Sequence, residues 1–226
     1  MSTPSYKEQS VAKGARIEAS KKFLSSTRKC LTQLEVIQEN QVPKISHLTF
    51  DDDEQLFKVF FPIKDHHLYL VICIDSVSCS RPKWSYIQQG NGVLFAAASD
   101  TLTFEELQAM TSIKATEGWS KGQLKKNSSN QNEVHRYSSF TFEPIREGFV
   151  YMTEKLTTLL DMLEADIEGV RRLAEVANAG IQVYTYDFAE YGNLPGVHLS
   201  KEVIRKLGNM HLDIDFEMYV NGNLLK

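Results

Sequence analysis

Apolar residues recur every three or four positions along one long stretch in the second half of the chain, from Gly148 to Ala179. This spacing puts their side chains on one side of an α-helix, so it predicts a long helix that packs on a sheet or on another helix. A coiled-coil dimer is the alternative, but Gly169 lies within the stretch, where glycine costs about 1 kcal/mol relative to alanine and favours a bend near 166–169. The recurring residues are Phe149, Met152, Leu156, Leu159, Leu163, Ile167, Val170, Leu173 and Val176.

Shorter segments around this helix alternate apolar and polar residues, which is the pattern of strands with one buried and one exposed face. Helices are predicted between them, one over 103–111 behind the capping pattern of Thr103 and Glu106 and one that begins at Ser200. The order predicts an α+β fold, with a mostly antiparallel sheet covered on one side by the long helix and the shorter helices. The predicted strands are 93–98, 136–143, 181–188 and 212–220.

The N-terminal part of the chain is organised differently. Two runs rich in β-branched and aromatic residues, 56–63 and 68–75, predict an antiparallel hairpin. Before them, residues 17–39 are predicted to form a helix and residues 1–16 to fray.

Asn91-Gly92 is a typical turn pair, and we take it as a domain boundary. It divides the chain into an N-terminal helix and β-hairpin region, 1–92, and an α+β domain, 93–226. The first region either shares the sheet of the second or forms a separate lobe.

The charge balance is close to neutral, with 25 Lys and Arg residues against 29 Asp and Glu residues and a net charge of −4. A generic grip on nucleic-acid phosphates needs a basic surface, so no nucleic-acid partner is expected. No apolar run reaches the roughly 18 to 20 residues of a membrane span, and Met1–Ser10 is polar, so no membrane partner is expected either. Three cysteines without a CxxC pair fit a reducing compartment, and the predicted location is the cytoplasm.

The common catalytic and cofactor motifs are missing from the sequence. It contains no phosphate loop, no GxGxxG, no HExxH and no GxSxG pattern, so we expect neither an enzyme nor a cofactor. Asp213, Asp215 and Glu217 alternate along the last strand, roughly 6.5 to 7 Å apart. Such carboxylates suit hydrolysis or a divalent ion. They also suit solvated charges that protect a strand edge.

A tryptophan between two glycines marks a first candidate binding segment, Glu117–Gly122. Trp119 and the neighbouring Lys121 lie outside every strongly periodic element. A tryptophan on such a loop anchors a partner or stacks on a flat ligand, because it offers a large apolar area at little entropy cost. The alternative is that it closes the end of the core.

A second candidate segment lies between a predicted strand end and a predicted helix start, where loop side chains converge on ligands. A polar loop whose groups bond one another is the alternative. The candidate binding residues in this segment are Tyr186, Asp187, Tyr191, Asn193 and His198.

At these segments the sequence resembles the bacterial Domain of Unknown Function 4279 family, over about 93–222. The similar segments are SDTLTFEELQ, EGWSKGQ, the long helix, YTYDFAEYGNLPGVHLS and LDIDFEMYVNG. The resemblance implies a shared fold. The family has no established reaction, so it supplies no catalytic residue.

Some members of this family resemble small cytosolic proteins encoded near secreted polymorphic toxins. The resemblance therefore implies an immunity-type inhibitor whose partner is a toxin domain, and aromatic loops beside carboxylates suit a basic toxin surface. A small-ligand-binding domain for a nucleotide or a peptide-like ligand, lined by Trp119, Tyr186, Tyr191, Asn193 and His198, is the second hypothesis. A carboxylate-dependent hydrolase is the third. The oligomeric state stays open.

Overall fold

The structure, a computed structural model, describes residues 5–126, 132–188 and 196–221, without the side chains of 187, 188 and 221. It has the predicted α+β fold. None of the helices in these ranges is both long and apolar enough to cross a bilayer.

The helices are α1 (Tyr6–Lys21), α2 (Ser25–Cys30), α3 (Phe104–Ala109), α4 (Met152–Glu164), α5 (Ile167–Val176) and α6 (Lys201–Met210). The strands are β1 (Gln38–Glu39), β2 (Val42–Pro43), β3 (His47–Asp51), β4 (Leu56–Pro62), β5 (Leu68–Asp75), β6 (Pro82–Ser99), β7 (Glu117–Trp119), β8 (Ser138–Phe142), β9 (Asn178–Phe188) and β10 (Asp213–Asn221).

The described residues belong to two compact units. Unit 1 draws on Met1–Gly90, Tyr186–Leu194 and Val220–Lys226. Unit 2 draws on Asn91–Thr185 and Pro195–Tyr219. The division of the chain into domains at residue 92 stays a prediction.

In unit 1, the hairpin predicted from the two apolar runs is confirmed. β4 and β5 pair antiparallel, with Leu56 opposite Asp75 and Pro62 opposite Tyr69. β3 adds to β4, also antiparallel. The hairpin residues Phe57, Val59, Phe61, Leu70 and Ile72 are buried in one cluster with residues of α1.

The helix predicted over 17–39 is wrong. The N-terminal helix, α1, begins after Ser5, whose side chain forms a capping box with Glu8, and it ends at Lys22 in the left-handed conformation. Of the segment expected to fray, residues 6–16 are helical because their small side chains allow a close approach to the end of the hairpin. A β-carbon at Gly14 would lie 2.5 Å from the carbonyl oxygen of Ser80.

In unit 2, helices cover one side of a sheet. The strand order is β10, β9, β6, β8 and β7, with β6, β8 and β7 paired antiparallel. Alternate residues of these strands, among them Phe95, Phe140, Ile181 and Val183, are buried in the core. The helices contribute Leu156, Leu159, Leu163, Val170, Leu173, Val203, Leu207 and Met210 to the same core.

The long helix predicted over 148–179 is two helices, α4 and α5, that divide at Ala165-Asp166. Asp166 has non-helical dihedral angles, and its carboxylate accepts a hydrogen bond from the backbone N–H of Gly169. The apolar stripe continues across the break, so periodicity alone does not reveal it. The break falls close to the predicted bend.

The turn predicted at Asn91-Gly92 is absent from the structure, since β6 runs through both residues. Both residues are instead part of the extended strand. In unit 2, the position of a β-carbon on Gly92 would be 3.5 Å from the ring of Tyr184. The side-chain amide of Asn91 donates a hydrogen bond to the backbone carbonyl of Val150.

Candidate binding face

The sheet of unit 2 has a second side, opposite the helices, and strand register decides which residues share it. Directly paired residues of antiparallel strands point to the same face. Trp119 pairs with Ser139, which pairs with Ala98. Glu117 pairs with Thr141, which pairs with Ala96. We call this side the open face.

The open face carries a groove of about 660 Å³. Its floor is made of the small side chains of Ala96 and Ala98, and Trp119 and Tyr184 lie on either side of them. Small residues on the central strand leave room that larger residues on the outer strands surround. The other lining residues are Leu94, Ser99, Asp100, Glu117, Tyr137, Ser139, Thr141, Asn178 and Gln182.

The groove continues toward the last strand. Ala96, Asn178 and Gln182 also line a neighbouring hollow of about 500 Å³, together with Asp213 and Asp215 of β10. Asp213, Asp215 and Glu217 are exposed, whereas Ile214 and Phe216 between them pack against the core. The predicted alternation of β10 is therefore confirmed from Leu212 to Glu217, but not at Met218, which is exposed. The carboxylates lie on the open face.

Aromatic rings form two contacts on this face. Trp119 stacks on His135, with ring centroids 4.4 Å apart and an angle of 19° between the planes. Tyr184 lies 6.3 Å from Tyr219, between ring centroids. Tyr137 is 47% exposed and Tyr219 is 45% exposed. Large rings that stay accessible are the side chains that most often anchor a partner.

Negative charge exceeds positive charge on the open face. Arg146 forms an ion pair with Glu117 at 3.2 Å, and Lys121 forms one with Asp100 at 3.5 Å. Glu217 accepts a hydrogen bond from the hydroxyl of Tyr219 at 2.6 Å. Among the described residues, no basic side chain forms an ion pair with Asp213, Asp215 or Glu217.

Trp119 lies in a short strand, β7, and not in the loop that the sequence predicts. The glycine before it is required by packing, since a β-carbon at Gly118 would lie 2.1 Å from the ring of Phe104. The ring of Phe104 therefore lies directly over the β7 backbone. Trp119 itself is half-buried.

The residues after Trp119 hold α3 in place. The hydroxyl of Ser120 accepts a hydrogen bond from the backbone N–H of Phe104, the first residue of α3, at 2.9 Å. The backbone N–H of Lys121 donates a hydrogen bond to the hydroxyl of Ser138, and its ammonium group donates one to the backbone carbonyl of Asp100. Gly122 has a φ of +83°, which few other residues adopt without strain. Much of this segment is thus engaged in the fold.

The other predicted binding residues fall in different surroundings. Tyr186 belongs to unit 1, where its ring stacks on His67 with centroids 4.3 Å apart. Asp187 is a β9 residue whose side chain is not described. Tyr191 and Asn193 lie outside the described residues. His198 is exposed in the segment before α6, two residues before the Ser200 cap.

Sequence reasoning missed several residues of the open face. His135, Tyr137, Gln182, Tyr184 and Tyr219 are far from Trp119 in sequence, and only the folded sheet brings them to the same face. The sequence does indicate the face of two of them, since Gln182 and Tyr184 alternate with the buried Ile181 and Val183. Alternation places a residue on the outer face without indicating which strands are neighbours.

A buried lysine lies at the end of unit 2's sheet. Lys155 of α4 is 5% exposed and donates a hydrogen bond to the backbone carbonyl of Asn91 at 2.7 Å. Burial lowers the pKa of Lys155 below its ordinary value, and the charge of Glu143 opposes this shift. The lysine anchors α4 to β6.

Among the residues that the structure describes, no three histidine, cysteine or acidic side chains gather closely enough to hold a metal ion. For the described part of the chain, the open-face carboxylates therefore form no metal site of this kind. Their spacing along β10 leaves them as separate surface charges.

Comparison with known proteins agrees with the resemblance noted in the sequence. A family model described as a domain of unknown function, DUF4279, matches residues 88–221, from within β6 to the end of β10. No curated protein matches the chain, and no solved structure matches it. The matched region includes the groove of the open face and its flanking strands. Because it covers more than half of the 226 residues, the chain belongs to the DUF4279 family.

Proposed function

We propose that this chain is a non-catalytic, cytoplasmic binding protein of the immunity type, which neutralises a cognate bacterial toxin by direct protein–protein binding. The observation that carries the proposal is the open face of unit 2. It combines a groove, accessible aromatic rings and carboxylates that pair with no basic side chain of the described residues.

The aromatic side chains support a protein partner. Protein interfaces draw most of their binding energy from a few large side chains, with tyrosine, tryptophan and arginine most frequent among them. Tyr137 and Tyr219 are accessible at the rim of the open face, and Trp119 lies beside the groove. A flat, partly exposed set of rings is better matched to a protein surface than to a small molecule, which is usually enclosed.

The charges support a basic partner. Arg146 and Lys121 already pair with Glu117 and Asp100, and within the described ranges no basic side chain pairs with the carboxylates of β10. Complementary charge steers two proteins together and selects against wrong partners. A toxin domain with a basic surface, such as one that acts on nucleic acid, fits this face.

The test is capture followed by neutralisation. The tagged full-length chain is used to capture partners from its native cytosol, and each captured protein is expressed alone and together with the chain. The proposal expects a captured protein that arrests growth when expressed alone and is harmless together with the chain. A bound metabolite in place of any such protein would contradict it and favour the small-ligand hypothesis.

Variants then locate the interface. Tyr137→Ala and Trp119→Ala are each expected to weaken binding of the captured toxin by about 2 kcal/mol or more, which is roughly 30-fold in Kd. Trp84→Ala is the matched control, because Trp84 is a 41% exposed tryptophan in unit 1. Equal affinity of all three variants, with circular dichroism unchanged, would remove the open face from the interface.

A further inference from the structure

The last strand of unit 2 lies at the edge of its sheet. β10 pairs with β9 on one side, and within the described residues no strand pairs with its other side. An edge strand presents backbone N–H and C=O groups that can bond to another extended chain. β10 covers Asp213–Asn221, which is long for an edge strand.

The side chains of this strand limit what can pair with it. β10 contains three acidic residues and no lysine, arginine or proline. Lysine and proline are common devices that keep natural edges from pairing. Of these devices, the residues of β10 offer negative charge alone. Such charge acts against acidic strands and not against basic ones.

A second copy of the chain is a poor occupant. Two β10 strands side by side would bring Asp213, Asp215 and Glu217 of one copy near those of the other, and like charges opposite each other destabilise a strand pair. A segment with lysine or arginine at alternate positions has the matching pattern. Its side chains repeat at roughly 6.5 to 7 Å, as the acidic side chains of β10 do.

We infer that β10 accepts, as an added strand, an extended segment of the protein partner that carries basic residues at alternate positions. This inference rests on the proposed function and specifies how the partner binds. Backbone hydrogen bonds along β10 hold the segment, and its basic side chains lie over Asp213, Asp215 and Glu217. Tyr219, on the same face, offers its ring to a cation.

The test uses a synthetic probe and the full-length protein. The probe is a heptapeptide with lysine at its second, fourth and sixth positions and threonine or valine elsewhere, blocked at both ends. Two N-methylated versions of the probe keep its charge. One is methylated at the backbone nitrogens of the three lysines, and the other at the backbone nitrogens of the residues between them. Only alternate N–H groups of an added strand point toward its neighbour. Strand addition therefore predicts that one version binds like the parent peptide and the other binds about tenfold more weakly or worse.

Charge variants give a second measurement. D213N/D215N is expected to weaken binding of the parent peptide by about tenfold at low salt. D52N/D53N is the matched control, because it removes the same charge from exposed acidic residues of unit 1 and is expected to leave binding unchanged. Equal binding of both methylated versions, no binding of the parent peptide, or equal effects of the two double variants would each overturn strand addition.

The outcome is separable from that of the proposed function. If the chain neutralises a captured toxin while the peptide fails these tests, inhibition stands and strand addition at β10 is wrong. If the peptide binds in the expected pattern and no toxin is neutralised, the inhibitor function is wrong.

Discussion

The carboxylate of Asp166 occupies the space that a side chain at Gly169 would need. A β-carbon on Gly169 would lie 2.4 Å from Oδ2 of Asp166. The same carboxylate accepts hydrogen bonds from the hydroxyl of Thr111 at 2.7 Å and from the backbone N–H of Gly169 at 3.1 Å. Glycine at this position lets Asp166 cap α5 and, through Thr111, tie it to the segment after α3.

Gly169→Ala is therefore expected to destabilise the protein, although alanine is the better helix former. The gain in helix propensity is about 1 kcal/mol. Loss of the cap costs about 0.5 to 2 kcal/mol, and the displaced carboxylate also releases Thr111 and Ser112, at about 1 kcal/mol for each hydrogen bond. We expect a net loss of about 1.5 to 4 kcal/mol in urea unfolding, counting the bonds from Thr111 and Ser112.

Gly208→Ala is the control for this substitution, because no atom lies within 4 Å of a β-carbon on Gly208 in α6. It is expected to stabilise the protein by up to about 1 kcal/mol. Equal stabilisation by both substitutions would show that Asp166 moves aside at no cost.

The cap also makes stability depend on pH. Burial alone would raise the pKa of Asp166, but hydrogen bonds from Ser112, Thr111 and Gly169 outweigh it and lower the pKa below the ordinary 3.8. The folded state thus holds the proton less tightly than the unfolded state. The stabilisation is present above pH 3.8 and is lost as the pH falls through the lowered pKa. Asp166→Asn should reduce this acid dependence in unfolding experiments; an unchanged pH profile would contradict the assignment.

Lys155 gives a pH dependence of the same sign, but at alkaline pH. Because burial lowers its pKa in the folded protein, the unfolded chain holds the proton more tightly between that lowered pKa and 10.5. The free energy of unfolding should therefore rise with pH across this interval. In Lys155→Met, which keeps the length and apolar stem of the side chain, we expect this rise to disappear. Lys114→Met, at an exposed position of the same unit, should leave the rise intact.

Gly118 and Phe104 should behave as a coupled pair. Gly118→Ala places a β-carbon 2.1 Å from the Phe104 ring and is expected to destabilise the protein by about 1 to 3 kcal/mol. In a Phe104→Ala background the ring is gone, so the same substitution should cost much less. A double-mutant cycle in urea unfolding measures the difference, and additive effects would mean that the clash is relieved elsewhere.

Much of unit 2 could be predicted from the sequence. The capping box of Thr103 and the Ser200 cap mark real helix starts, and the alternation of β10 gives its buried and exposed faces. These features depend on neighbours within a few residues, so the sequence alone carries them.

The errors share a physical cause, which is contact between distant segments. α1 is stabilised by the close approach of Gly14 to Ser80, and hydrophobic spacing does not report such contacts. Asn91-Gly92 looks like a turn pair, although β6 continues through it and Asn91 bonds the distant carbonyl of Val150. The strand of Trp119 exists because Ser139 pairs with it.

The candidate site could be predicted only in part for the same reason. Trp119 is conspicuous as a lone tryptophan between glycines. Its stacking partner His135 and the distant Tyr184 join it only when β7, β8, β6 and β9 assemble. Sequence patterns indicate which residues face outward, and strand order decides which of them meet.

The hydrogen bond from Phe104 to Ser120 has a consequence for divergence within the family. Gly118 and Ser120, which help to make the tryptophan segment recognisable, hold α3 to the sheet, while Tyr137, Asp215 and Tyr219 are accessible. A related chain can thus inherit the tryptophan segment unchanged while its outward side chains vary to suit another partner. Shared ancestry in this family would then be evidence of a common scaffold and not of a common target.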